Sequence, residues 1–210
     1  MAKSQPRPEA GQRLLLAAVV AAGLLVLASG ALLFYAFNYR PHGAANTPLS
    51  AMIGGKFSLV DQNGKPFTDA DMKGKWQLVF FGYTHCPDVC PTTLNELSLA
   101  FGKLGSAAAS KMGVIFISVD PDRDTPAVLK DYVSSFSAPV TALTGTATQI
   151  AEAAKDYRVY YAKHPTKDGG YDMDHSALIY VMDPEGRFTA TFAPDDPADK
   201  IAERMKKLLS

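Results

Sequence analysis

From Leu14 to Phe37 the chain runs for 24 residues without a charge, and Ser29 and Tyr35 supply its only hydroxyls. At ~1.5 Å per residue such a run makes roughly 36 Å of helix, against a hydrocarbon core of about 30 Å. Thirteen of the 24 are Leu, Val or Phe, and at about −0.4 kcal/mol each their insertion is favourable by roughly 5 kcal/mol. A cleaved signal peptide is the rival reading, because Leu27-Ala28-Ser29-Gly30 offers small residues. The apolar run is about twice a signal h-region, however, and continues through Ala31-Leu32-Leu33-Phe34. The expectation is one transmembrane helix over 14–37, preceded by a cytoplasmic tail, 1–13, and followed by a polar linker, 38–50, and a folded domain, 51–210.

The anchor changes the meaning of the charge. Twenty-one basic residues balance 21 acidic ones overall, yet the first 40 residues carry Lys3, Arg7, Arg13 and Arg40 against Glu9 alone, which leaves the rest of the chain at −3. Three basic residues before the span and one after it place the N-terminus in the cytoplasm and the domain across the membrane. A mitochondrial presequence does not fit thirteen leading residues that include two prolines and a glutamate. A bacterial inner membrane with a periplasmic domain is the expected setting. The absence of a basic excess argues against nucleic acid as a partner, the balanced charge and 47% hydrophobic content argue against disorder, and two cysteines are too few for a disulfide scaffold.

In the domain, Phe57–Val60 and the segment after Asn63-Gly64 read as a hairpin. Trp76–Tyr83 and Val114–Val119 are nearly unbroken apolar runs, as expected of central strands buried on both faces. Val140–Leu143 is a shorter strand. Helical spacing is expected over Pro91–Leu104, Thr125–Phe136, Thr146–Arg158 and Pro197–Leu209. After Val159–Ala162 and a Gly169-Gly170 loop, Ser176–Met182 and Phe188–Phe192 form a second hairpin about Asp183–Gly186. Alternating strands and helices that end in a hairpin and a helix predict an α/β mixed sheet flanked by helices.

Both cysteines lie in Tyr83-Thr84-His85-Cys86-Pro87-Asp88-Val89-Cys90, between the first buried strand and the next helix. Pro91 disfavours helix in the residue before it, so the helix is expected to start near Pro91 with both thiols in the loop above. The helix start favours thiolate. Three readings apply. A structural disulfide would close only about five residues and gain little, ~2–3 kcal/mol. A redox dithiol usually has a spacer of two residues rather than three. A metal site needs a further donor, and four histidines are available. His42 falls in the linker and His164 in a polar loop. His85 adjoins Cys86 and is the weaker candidate. His175 precedes an apolar strand beside the first central one, at the sheet edge that bears the cysteine loop. Two thiolates and an imidazole suit copper, Cu(I) or Cu(II), better than zinc, which takes four ligands or three plus water.

Three stretches, Gly82–Pro91, Ser118–Pro126 and Asp174-His175-Ser176, together resemble the Sco/SenC family of membrane-anchored copper chaperones, over roughly residues 50 to 208. The resemblance implies a thioredoxin-like fold with an added hairpin and copper held by Cys86, Cys90 and His175. It implies delivery to the dinuclear copper centre of cytochrome c oxidase, with that oxidase's copper-bearing subunit and other periplasmic copper chaperones as partners. It also keeps open a thiol-disulfide oxidoreductase in which Cys86 and Cys90 keep the oxidase cysteines reduced. Against that alternative, thioredoxin-type enzymes carry a proline just before the strand facing the cysteines, where this chain has Met173-Asp174-His175. Asp120, Asp122 and Asp124 read as turn and helix-cap chemistry, with partner docking or tuning of the site as the competing role.

Overall fold

The computed structural model describes residues 10–38 and 53–209, in two units that divide between Asn46 and Thr47. Residues 39–50 of the expected linker, with Arg40 and His42, lie outside the described residues, as do Lys3 and Arg7. The first unit holds α1, Ala10–Asn38, a 29-residue helix that contains the whole uncharged run. Among the described residues no helix is long and apolar enough to cross a membrane. Within α1 the side chains are described without a break only over 17–32, about 24 Å of helical rise.

The described strands of the second unit are β1 (Ser58–Asp61), β2 (Pro66–Thr68), β3 (Trp76–Gly82), β4 (Met112–Ser118), β5 (Val140–Thr144), β6 (Tyr161–Pro165), β7 (Tyr171–His175), β8 (Ile179–Met182) and β9 (Phe188–Phe192). Its helices are α2 (Val89–Leu104), α3 (Ser106–Ala109), α4 (Pro126–Val133), α5 (Ala147–Asp156) and α6 (Ala198–Leu209). Seven strands make one sheet in the order β2-β1-β5-β4-β3-β8-β9. At its centre β3, β4 and β5 are parallel, and antiparallel strands flank them on both sides.

Alternation along β3 explains why this strand is central. Leu78 and Phe80 point to one face, where they pack with Leu94 and Leu97 of α2, Leu129 of α4 and Ile201 and Met205 of α6. Val79 and Phe81 point to the other, against Ile150 and Ala153 of α5 and Tyr157. All four are fully buried, and at ~1.5–3 kcal/mol per large apolar side chain only a strand covered on both faces stabilises such a run. Thr125 caps α4 by accepting from Val128 N, with Pro126 in the first turn. A reciprocal Thr146–Gln149 capping box starts α5.

Two local expectations are corrected. Helix α2 begins at Val89 rather than near Pro91, so Cys90 belongs to its first turn. Proline is tolerated there because the first N–H groups of a helix have no intrahelical acceptor. The second correction concerns residues 161–175, expected as a short strand and a loop. They form an antiparallel hairpin of their own, β6–β7, which registers Tyr161 opposite His175. Of its two strands only Met173 is buried, so there was no apolar alternation to read.

Candidate metal centre

At the C-terminal edge of the parallel strands, β3 ends at Gly82 and the chain turns through Tyr83–Asp88 into α2. The Cys86 N–H donates to Tyr83 O at 3.3 Å and closes this turn, which leaves Cys86 half-buried. Cys90 is fully buried one turn later. Its own N–H donates to Cys86 Sγ at 3.4 Å. Both thiols are free.

Gly82 makes room for this. A Cβ there would lie 2.6 Å from Cys90 Sγ and 2.7 Å from Phe116 Cε2. Gly82→Ala is therefore expected to cost about 1–3 kcal/mol by overpacking, as read from urea unfolding. A loss below about 0.5 kcal/mol, the range of a neutral surface change, would contradict the close approach.

His175 arrives from the other direction, as the last residue of β7. Its ring stands edge-on to Phe80 and Tyr83, with centroids 6.2 and 5.8 Å away. Nδ1 lies 3.2 Å from Ser176 O. A carbonyl can only accept, so Nδ1 carries the proton and Nε2 of the neutral ring is left with its lone pair. Nε2 faces Cys90 Sγ at 3.5 Å. The two sulfurs and a ring nitrogen lie within 4.8 Å of one another, the one such group of three among the described residues. Metal–donor bonds of about 2.0–2.3 Å put two ligands on one ion no more than ~4.6 Å apart, so slight closure would bring all three onto one ion.

The two thiols are unequal. Cys86 is lowered to about 5, chiefly because the Cys90 thiol donates to it; the backbone N–H groups of Cys90 and Asp88 add to the effect, against burial. Cys90 is pushed up by that same shared proton and by burial. The reduced pair is thus a Cys86 thiolate beside a Cys90 thiol, at a helix N-terminus that favours the anion.

His85 is exposed beside Thr84 Oγ1, 3.1 Å away, and is not among the three. His164 pairs with Asp174 at 2.9 Å on the exposed face of the hairpin. The helix-cap reading of Asp124 is corrected: Thr125 is the cap, and the fully buried Asp124 carboxylate reaches back to the cysteine loop. It accepts from Thr84 N at 3.0 Å, Thr84 Oγ1 at 2.6 Å and Ser118 Oγ at 2.6 Å. Asp120 is also buried and pairs with Arg123, while Asp122 meets Lys163 on the surface.

A cavity of about 690 Å³, lined by Lys56, Met72, Tyr157 and Arg187 among others, shares no residue with this cluster. It opens beside Asp183, next to the strand pair Gln77–Met182 at the start of β3, the end remote from the cysteines.

The SCO1/SenC family model matches residues 45–210. Among curated relatives, Protein SCO2, mitochondrial, of Saccharomyces cerevisiae is 44% identical over 143 residues, which is 66% of this chain and 47% of that protein. The chain spans about half the length of the first curated relatives it matches. The structure of Bradyrhizobium japonicum ScoI with copper bound is 53% identical, with a TM-score of 0.69 over 74% of this chain and 98% of that one. BsSco, described with a disulfide switch as a member of the Sco family of cytochrome c oxidase assembly proteins, is 26% identical, with a TM-score of 0.59 over 74% and 92% of the two chains. The fold is the mixed α/β, thioredoxin-like one that the resemblance implied.

Proposed function

This chain belongs to the SCO1/SenC family, and from that premise we propose that it is a copper chaperone for the copper-bearing subunit of cytochrome c oxidase. The observation that carries the reading is the convergence of Cys86, Cys90 and His175. Copper is the cargo. A soft sulfur pair with one imidazole suits Cu(I), which accepts low coordination. The copper-bound structure of the similar ScoI supports the metal, and the family description printed for BsSco supports the oxidase as destination. Cys86 meets copper already deprotonated, whereas Cys90 gives up its proton on binding. The fully buried Cys90 is the fixed ligand. The half-buried Cys86 and His175 are where an acceptor's thiolate or imidazole enters and copper leaves by ligand exchange.

A second reading rests on the low pKa of Cys86. Its thiolate would attack a partner disulfide, and Cys90 would then attack the mixed disulfide. The partner would leave with two thiols and this chain with a Cys86–Cys90 bond, a transfer of two electrons. A copper titration of the reduced full chain in detergent, beside His175→Ala, separates the two. On the chaperone reading the variant binds about ten- to a hundredfold more weakly and the parent turns over protein disulfides poorly. Equal binding by both, with equal and rapid disulfide reduction, would sink it.

The membrane setting belongs to the same proposal. By its sequence the uncharged run 14–37 would be long enough for a span, and the described apolar side chains within it, Leu24 to Leu27 and Leu32 among them, are exposed, as lipid contact requires. With the N-terminus cytoplasmic and the domain in the bacterial periplasm, a periplasm-dependent reporter fused after Ser210 is expected to be active. An inactive fusion with an active cytoplasmic counterpart would reverse the orientation.

A further inference from the structure

The three converging donors come from two pieces of structure that the sheet joins only through β8, which begins four residues beyond His175 and pairs with β3. Cys86 and Cys90 follow β3 directly, whereas His175 ends a hairpin that pairs only with itself. Ser176 N donates to Tyr160 O at 2.9 Å, and Tyr160 N to Ser176 Oγ at 3.2 Å, but both bonds close the hairpin on its own base. They do not fix where it lies.

Met173 is buried in the same core cluster as Tyr83, and further side-chain ties on the hairpin come from the turn after β4. Arg123 Nη1 donates to Tyr171 O at 3.0 Å, and its guanidinium lies 3.8 Å from the centre of the Tyr171 ring. Arg123 Nε pairs with the buried Asp120, which also accepts from the Tyr171 hydroxyl at 2.8 Å. Lys163 Nζ of β6 reaches Asp122 at 2.8 Å. Arg123 also lies 5.8 Å from the ring of Tyr83, the residue whose edge-on contact seats His175. One residue further on, Asp124 holds Thr84 in the cysteine loop.

We infer that residues 120–124 form a bracket between the two halves of the cluster, in which Arg123 is the positioning residue for His175. The planar guanidinium does three things at once: it stacks on Tyr171, bridges to a backbone carbonyl and pairs with Asp120. A lysine at 123 can keep only the last. The cysteine half rests on β3, α2 and Asp124, so loss of Arg123 frees the imidazole and leaves the thiols in place. The consequence for copper rests on the ligand reading above; the placement of His175 does not.

Both can be read on the full chain in detergent. In the metal-free state, the ring-proton shifts of His175, assigned with His175→Ala, report its contacts with Phe80 and Tyr83. Arg123→Ala is expected to move them to the values of a solvated histidine, and Arg123→Lys, the variant more sure to fold, to move them the same way. In the copper(II)-loaded state, both variants are expected to lose the nitrogen hyperfine signature. Arg123→Ala/His175→Ala should bind copper within about twofold of His175→Ala alone, because the second change removes nothing further. Unchanged His175 shifts in folded Arg123→Lys and Arg123→Ala would overturn the bracket. Shifts that move as expected, with copper binding and nitrogen signature unaltered in His175→Ala, would support the bracket and overturn the ligand reading instead.

Discussion

Alkylation of the reduced, metal-free chain by iodoacetamide is expected to stop at one thiol, Cys86, and to follow a pH profile with its midpoint at about 5. At pH 5.5 about three-quarters of Cys86 would be thiolate, whereas a thiol with the ordinary value of 9 would be below a thousandth. A less basic thiolate is also intrinsically slower, by ~40–100-fold over four units. The signature is therefore the position of the profile, not its height. Cys90 escapes because it is fully buried and its thiol is pushed up. Cys90→Ala removes the largest cause of the lowering and should carry the midpoint upward. A parent midpoint near 9, or equal labelling of both cysteines, would refute the asymmetry. The signs also fix a stability profile. Cys86, lowered when folded, contributes stability that is present above pH 9 and lost as pH falls through about 5. Cys90, raised when folded, contributes stability below pH 9 that is lost as pH rises further. For this pair the maximum lies near pH 9.

What the sequence discloses here depends on how local the cause is. The runs at 76–83 and 114–119 declare two-sided burial by composition alone, and β3 and β4 have it. A cysteine pair between such a strand and a helix can only sit at the strand's C-terminal edge. The nearness of His175 is legible for a related reason: the chain must return into the sheet beside β3, and β8 does pair with β3. The start of α2 at Val89 is not legible, because the local penalty on the residue before Pro91 is outweighed by the burial of Cys90 against Gly82 and Phe116. The bracket is invisible for a different reason. Asp124 and Thr84 are 40 residues apart, and Arg123 and Tyr171 are 48. Neither pair leaves a period or a spacing to find. Once the turn brings those side chains together, an aspartate run that resembles cap chemistry becomes a support for both halves of the candidate site.

Among the three donors, Cys90→Ser is expected to weaken copper binding most, by about a hundred- to a thousandfold. Structural zinc in a four-ligand site is worth ~10–16 kcal/mol, roughly 2.5–4 kcal/mol per ligand, and each 1.4 kcal/mol is about tenfold. Position then ranks the ligands. At Cys86 and His175, both half-buried, water can take the place of a lost donor. Cys90 is fully buried, and a serine hydroxyl in its place is neither soft nor anionic at neutral pH. His175→Ala should cost least, because Cu(I) tolerates two-coordination by sulfur. The expected order is Cys90→Ser, then Cys86→Ser, then His175→Ala, read by competition with a chromophoric copper(I) chelator at fixed pH. Circular dichroism would confirm that each variant is folded. A folded Cys90→Ser that binds within tenfold of the parent, or more tightly than His175→Ala, would mean that the buried sulfur is not the fixed ligand, and that Cys86 and His175 hold the metal without it.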